Sequence, residues 1–78
     1  MNIKILGSGC TNCKNLEKNT LAALAELGLT ADVEKVTEPG EIVSWGVMST
    51  PALVIDDEVV VVGKVPGVAD VKRLIAAR

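Results

Sequence analysis

Residues 2–13 place the tightest limit on what this chain can fold into. A short apolar run (Ile3, Ile5, Leu6) breaks at Gly7-Ser8-Gly9 and passes at once into Cys10-Thr11-Asn12-Cys13. Beyond it Cys13, Leu16, Thr20, Ala23, Leu24 and Leu27 recur at helical spacing on one face, while Lys14, Glu17, Lys18 and Glu26 read as a solvated face. Residues 2–6 are therefore predicted as a strand and residues 11–27 as a helix, with both thiols at the junction. Gly28 is placed to cap the helix. Residues 31–36 form a second strand, charged enough to lie at a sheet edge. Two strands joined by a helical crossover run parallel, with a right-handed connection.

The second half alternates in another order. Glu38-Pro39-Gly40 begins a short helix with proline at an early position, where its missing N–H costs nothing. Ile42, Val43 and Trp45 are its expected buried side, and Gly46 ends it. Residues 52–56 and 59–62 are nearly continuous apolar runs separated by Asp57-Glu58, which predicts a β-hairpin. Gly63 follows, either letting the backbone pass close to the active site or merely ending the strand. Val68, Val71, Leu74 and Ile75 mark a last amphipathic helix. The order is β-α-β-α-β-β-α: an α/β chain with a four-stranded mixed sheet and three helices. Strands that are apolar on both sides call for helices on both faces of the sheet.

Composition narrows the function. Seventy-eight residues make a single domain, 1–78, with a modest core. The chain has no Phe or Tyr and one Trp, so that core is aliphatic. The net charge is −2 and the basic residues are scattered, which argues against nucleic acid as a partner. No stretch is long enough to span a membrane, and the first apolar run is too short for a signal-peptide core. A cytoplasmic monomer is expected, in a compartment where structural disulfides are disfavoured and a paired Cys-x-x-Cys does redox or metal chemistry.

Cys10 and Cys13 are the chain's two cysteines. Their two-residue gap lets the sulfurs meet without much bending of the backbone. An inert staple around so short a loop would remove little unfolded-chain entropy. A thiol at a helix start feels the positive end of the helix dipole, which favours the thiolate that attacks disulfides. Cys10 is thus assigned as nucleophile, and Cys13, about one turn further in, as the thiol that resolves the mixed disulfide. Thr11 and Asn12 either donate hydrogen bonds to the Cys10 thiolate or cap the helix. Lys14 either adds positive charge near Cys10 or is simply solvated, and Trp45 is read as packing. From its own context Pro51 only begins a strand.

The element order, the Cys-x-x-Cys at the first helix start and Thr50-Pro51 ahead of the third strand resemble the thioredoxin fold in its minimal, glutaredoxin-sized form. Ile3-Lys4-Ile5-Leu6-Gly7-Ser8-Gly9-Cys10-Thr11-Asn12-Cys13, then Leu16-Glu17, is similar to the start of the small archaeal and bacterial thioredoxin-like proteins that carry a redox-active disulfide. Gly46-Val47-Met48-Ser49-Thr50-Pro51-Ala52-Leu53-Val54-Ile55 adds to the likeness. The resemblance implies a thiol–disulfide oxidoreductase that reduces protein disulfides, with the same roles for Cys10 and Cys13. It implies a cis Thr50–Pro51 bond lying against the thiols, with the Thr50 backbone open to an extended substrate segment. It implies disulfide-containing target proteins and a thioredoxin-reductase-like flavoprotein as electron donor, a ferredoxin-linked reductase being the alternative. No cofactor is called for, because the dithiol itself carries both electrons. Thr11-Asn12 and Gly9 depart from Trp-Cys-Gly-Pro-Cys, and the glutaredoxin tyrosine is absent, so glutathione dependence is not implied.

A different class of function competes. Two soft thiolates suit Cu(I), and a copper chaperone would bind its cargo through them. Heavy-metal-associated domains carry Met-x-Cys-x-x-Cys, however, and Ser8 stands where that Met would be. Their fold ends in a strand, whereas this chain is predicted to end in a helix. A structural zinc site wants four ligands, more than two Cys and no His supply. No resident metal is expected.

Overall fold

A computed structural model describes residues 1–9 and 11–77. The elements are β1 (Asn2–Leu6), α1 (Thr11–Leu27), β2 (Asp32–Val36), α2 (Pro39–Ser44), β3 (Ala52–Ile55), β4 (Glu58–Val62) and α3 (Val68–Ala76). The sheet order is β2-β1-β3-β4. β1 pairs parallel with β2, antiparallel with β3, and β3 antiparallel with β4. This is the minimal thioredoxin arrangement, a four-stranded mixed sheet with three helices. It ends in α3 and not in a strand, unlike the heavy-metal-associated fold.

Strand alternation divides the core between two faces. Ile3 and Ile5 of β1, with Leu53 and Ile55 of β3, pack with Leu16, Ala23 and Leu24 of α1 and Val71 and Ile75 of α3. Leu6, Ala52 and Val54 point the other way, onto Ile42 of α2 with Val36 and Val47. On α1 the buried residues are Cys13, Leu16, Thr20, Ala23 and Leu24, the face predicted from their spacing. Thr20 satisfies its hydroxyl within the helix, donating to the Leu16 carbonyl at 2.8 Å. The helix closes as a Schellman motif: Leu29 N–H donates to the Leu24 carbonyl and Gly28 N–H to that of Ala25.

Three sequence expectations need correction. β2 begins at Asp32 and not at residue 31. The hairpin turn is Asp56-Asp57 and not Asp57-Glu58, and Glu58 already pairs with Ile55 in the ladder. Both aspartates have positive φ, 48° and 65°. A two-residue type I′ turn needs that conformation at both central positions, and aspartate tolerates it better than glutamate does. Lastly, Val43 is 61 % exposed and not on the buried side of α2. Ile42 and Trp45, three apart, share the face toward the sheet, and Val43 lies a hundred degrees or so round the helix.

Candidate active site

β1 delivers the chain to the site. Past Leu6 it continues to Gly7, whose N–H donates to the Val36 carbonyl at 2.9 Å, so the parallel pairing with β2 extends one residue beyond the strand. Ser8 and Gly9 then turn the chain outward and α1 begins. Thr11 and Asn12 lie in the first turn of α1 and are exposed, while Cys13 is only 5 % exposed. The expectations for Cys10 lie outside the described residues.

Gly7 and Cys13 fit together closely. A Cβ placed on Gly7 would stand 2.2 Å from Cys13 Sγ and 3.1 Å from Cys13 Cβ. No side chain can occupy that space while the sulfur is there, so the absence of one at Gly7 is what lets the thiol sit against the end of β1. The same hypothetical atom would lie 3.9 Å from Thr50 Cβ, which puts the segment before β3 on the far side of this notch.

That segment is held from two directions. The Thr50–Pro51 peptide bond is cis. Pro51 is fully buried while Thr50 is exposed. Gly63, at the end of β4, donates its N–H to the Pro51 carbonyl at 2.7 Å. Gly63 has φ +67°, and a Cβ there would come within 3.1 Å of Ser49 Cβ. Gly63 thus follows the end of β4 and brings that end against Ser49 and Pro51.

Two concave surfaces lie in this region, and Cys13 lines the first. An open cavity of about 100 Å³ is lined by Cys13, Lys14 and Glu17 of α1, Lys35 of β2 and Thr37, with Ile5, Gly7 and Gly9. Across it Lys35 Nζ stands 3.7 Å from Glu17 Oε2, with 27 % of the Glu17 side chain exposed. A separate shallow groove runs past Ser8 and Thr50 along Ile42, Val43 and Val47 to Met48, which is 91 % exposed. Trp45 lies outside both. It packs on the core under α2, with Lys4 Nζ 4.9 Å from its ring centre, which agrees with its reading as a packing residue.

Residues 1–76 match the family model described as a thioredoxin domain. A curated thioredoxin of Methanothermobacter thermautotrophicus is 38 % identical over 76 residues, covering 97 % of this chain and 99 % of that protein. A thioredoxin of Methanocaldococcus jannaschii is 41 % identical over 71 residues, covering 91 % of this chain and 81 % of its own length. The chain belongs to the thioredoxin family. Its class of chemistry is thiol–disulfide oxidoreduction. Among the described residues, no helix of this thioredoxin-family protein is long and apolar enough to cross a membrane.

Sequence reasoning alone overlooks two parts of the thioredoxin-family site. Gly7 is legible only as a turn residue, because nothing in the chain says that a thiol six positions later occupies the place of its side chain. Glu17 groups with the solvated residues of α1, yet it lines the cavity beside Cys13 and pairs with Lys35 of another element. The signal available for it is its spacing of four from Cys13, which puts both on one helical face.

Proposed function

We propose that this protein reduces disulfides in other proteins through Cys10 and Cys13. Cys10 attacks the target disulfide and forms the mixed disulfide. Cys13 attacks Cys10 Sγ and displaces the target thiol, leaving an intramolecular Cys10–Cys13 disulfide. The observation that carries the reading is the placement of Cys13: a nearly buried sulfur, seated in the notch left by Gly7 and bordered by Thr50. A resolving thiol wants this setting, shielded from outside disulfides and held in one position.

The target would approach along the exposed Thr50 backbone, with Pro51 at its base and Met48 and Val43 offering apolar contact. Thr11 and Asn12, exposed in the first turn of α1, border that approach. The dithiol carries both electrons, so the reaction uses no separate cofactor. A thioredoxin-reductase-like flavoprotein, or a ferredoxin-linked reductase, would return the electrons. The family membership supports such a donor and disulfide-bearing targets in general. We place the protein in the cytoplasm as a monomer.

The test is trapping. Cys13→Ser should accumulate a mixed disulfide with a protein substrate through Cys10, because nothing remains to resolve it. Cys10→Ser should accumulate none. Trapping through Cys13 in the Cys10→Ser variant would reverse the two roles.

A further inference from the structure

The groove beside Thr50 ends on a side chain with redox chemistry of its own. Met48 is 91 % exposed, so no neighbouring side chain shields its sulfur. Apolar residues exposed singly are ordinary on a protein surface. Met48 is not single: Val43, 61 % exposed, lines the same groove with Ile42 and Val47. Met48 also stands two residues before Thr50, which keeps the two within about 7 Å along the chain. Thr50 in turn borders the notch that seats Cys13. The chain's other methionine, Met1, is 42 % exposed. It precedes β1 at the end away from Gly7, about 20 Å from that glycine by strand rise.

We propose that Met48 is a site of reversible oxidation, and that the state of its sulfur sets how well the protein engages protein disulfides. The inference rests on the groove being the approach for target chains, as given above. The oxidant is a hydroperoxide. A lone pair of the Met48 sulfur attacks the outer peroxide oxygen, an S–O bond forms and the O–O bond breaks. The sulfur gives up two electrons and the peroxide takes them; with hydrogen peroxide the second oxygen leaves as water. The product, methionine sulfoxide, is polar and chiral where the thioether was apolar and adaptable. It gains little by being covered, so the loss falls on targets that lie in the groove. Reagents small enough to reach the thiols without entering the groove are spared. Enzymes that reduce methionine sulfoxide restore the thioether.

The size of the effect follows from apolar burial. Full burial of a methionine side chain is worth about tenfold or more in affinity. Partial cover by a target segment therefore predicts a loss of about three- to tenfold on oxidation.

The experiment starts from the full-length protein in its disulfide form, with both thiols protected. The protein is treated with hydrogen peroxide, freed of it, and reduced with dithiothreitol, which leaves a sulfoxide in place. Peptide mass mapping should find Met48 converted ahead of Met1. Two reactions are then followed, each protein being compared with itself before and after peroxide. One is the reaction with a small aromatic disulfide that releases a coloured thiolate, its first phase reporting attack by Cys10 and its second resolution by Cys13. The other is the second-order reduction of insulin, a disulfide-linked protein. Oxidation should lower the insulin rate by about three- to tenfold and leave both aromatic phases unchanged, which also shows that the protein stays folded. Methionine sulfoxide reductases should recover the lost rate. The insulin rate of Met48→Leu should be the same after peroxide as before it. Conversion of Met1 first, an insulin rate indifferent to oxidation, or an equal loss in Met48→Leu overturns the role of Met48. A loss shared by the aromatic disulfide also overturns it, because the damage then lies at the dithiol. A protein that reduces neither substrate before peroxide refutes the function proposed above, and this inference with it.

Discussion

Replacing Gly7 with alanine puts one methyl group where Cys13 Sγ now sits. The added carbon would be 2.2 Å from the sulfur and 3.1 Å from Cys13 Cβ. Ordinary non-bonded contact begins at about 3.5 Å, so at least about 1.3 Å of separation has to be found. Gly7 has little freedom to provide it: it is buried and its N–H is bonded to the Val36 carbonyl. Cys13 has one side-chain torsion, and in a helix one of its three staggered positions is strongly disfavoured. Either the sulfur turns away or the start of α1 shifts. Overpacking of this kind costs about 1–3 kcal/mol, which for a domain of this size lowers the Tm by about 4 °C or more. A misplacement on the order of 1 Å at a reacting atom costs about a hundredfold in rate. Gly7→Ala should therefore slow the resolving phase of the two-phase disulfide reaction by about that factor. A double-mutant cycle isolates the cause. In a Cys13→Ala background the sulfur is gone and only the 3.1 Å contact remains, so the stability cost of Gly7→Ala should fall below about 1 kcal/mol. A Gly7→Ala protein with wild-type Tm and wild-type resolution would refute the reasoning. An equal cost in both backgrounds would place the strain elsewhere than at the sulfur.

Two further substitutions probe the frame that holds the site. Gly63→Ala meets both a left-handed backbone (φ +67°) and a 3.1 Å approach to Ser49 Cβ. It should cost about 1–2 kcal/mol in urea unfolding from the backbone alone, and a cost near zero would show that β4 does not hold residues 49–51. Asp57, at φ 65° in the hairpin turn, follows β3 at the end away from Pro51. Asp57→Gly should leave stability within about 1 kcal/mol of wild type, whereas Asp57→Val forces a β-branched residue into a conformation it strongly avoids. The valine variant should lose about 1–2 kcal/mol with unchanged disulfide reactivity, and equal midpoints for the two variants would contradict the turn assignment.

The fold is legible in the sequence because period and punctuation agree along the chain. Spacing alone picks out Cys13, Leu16, Thr20, Ala23 and Leu24 as one face, and it is the buried face of α1. Pro39 and Gly28 mark helix ends by chemistry that is local in sequence. The misplaced hairpin turn shows where such reading stops. Asp56, Asp57 and Glu58 are all plausible turn residues, and the choice among them is made by the register with which β4 pairs on β3. Val43 shows the same limit in a helix of six residues, too short for its period to declare a face. At the site, residue types that carry chemistry stand out and residues that make room do not. Gly7 contributes an absence, and that absence has meaning only beside a sulfur brought to it by the helix that follows. Glu17 gains its partner, Lys35, from a strand eighteen residues later.

Trp45 is the single aromatic residue of the chain, and it packs against only one of the two cores. Its emission therefore reports on the layer formed by α2 and is blind to the one formed by α1 and α3. Among the described residues the α2 side buries six side chains against nine on the other, so it is the side that opens at lower free energy. Fluorescence should begin to change at a lower urea concentration than the far-ultraviolet circular dichroism, which is weighted toward α1. Stability values for this protein taken from fluorescence alone would describe the layer formed by α2, and understate the resistance of the layer that carries Cys13.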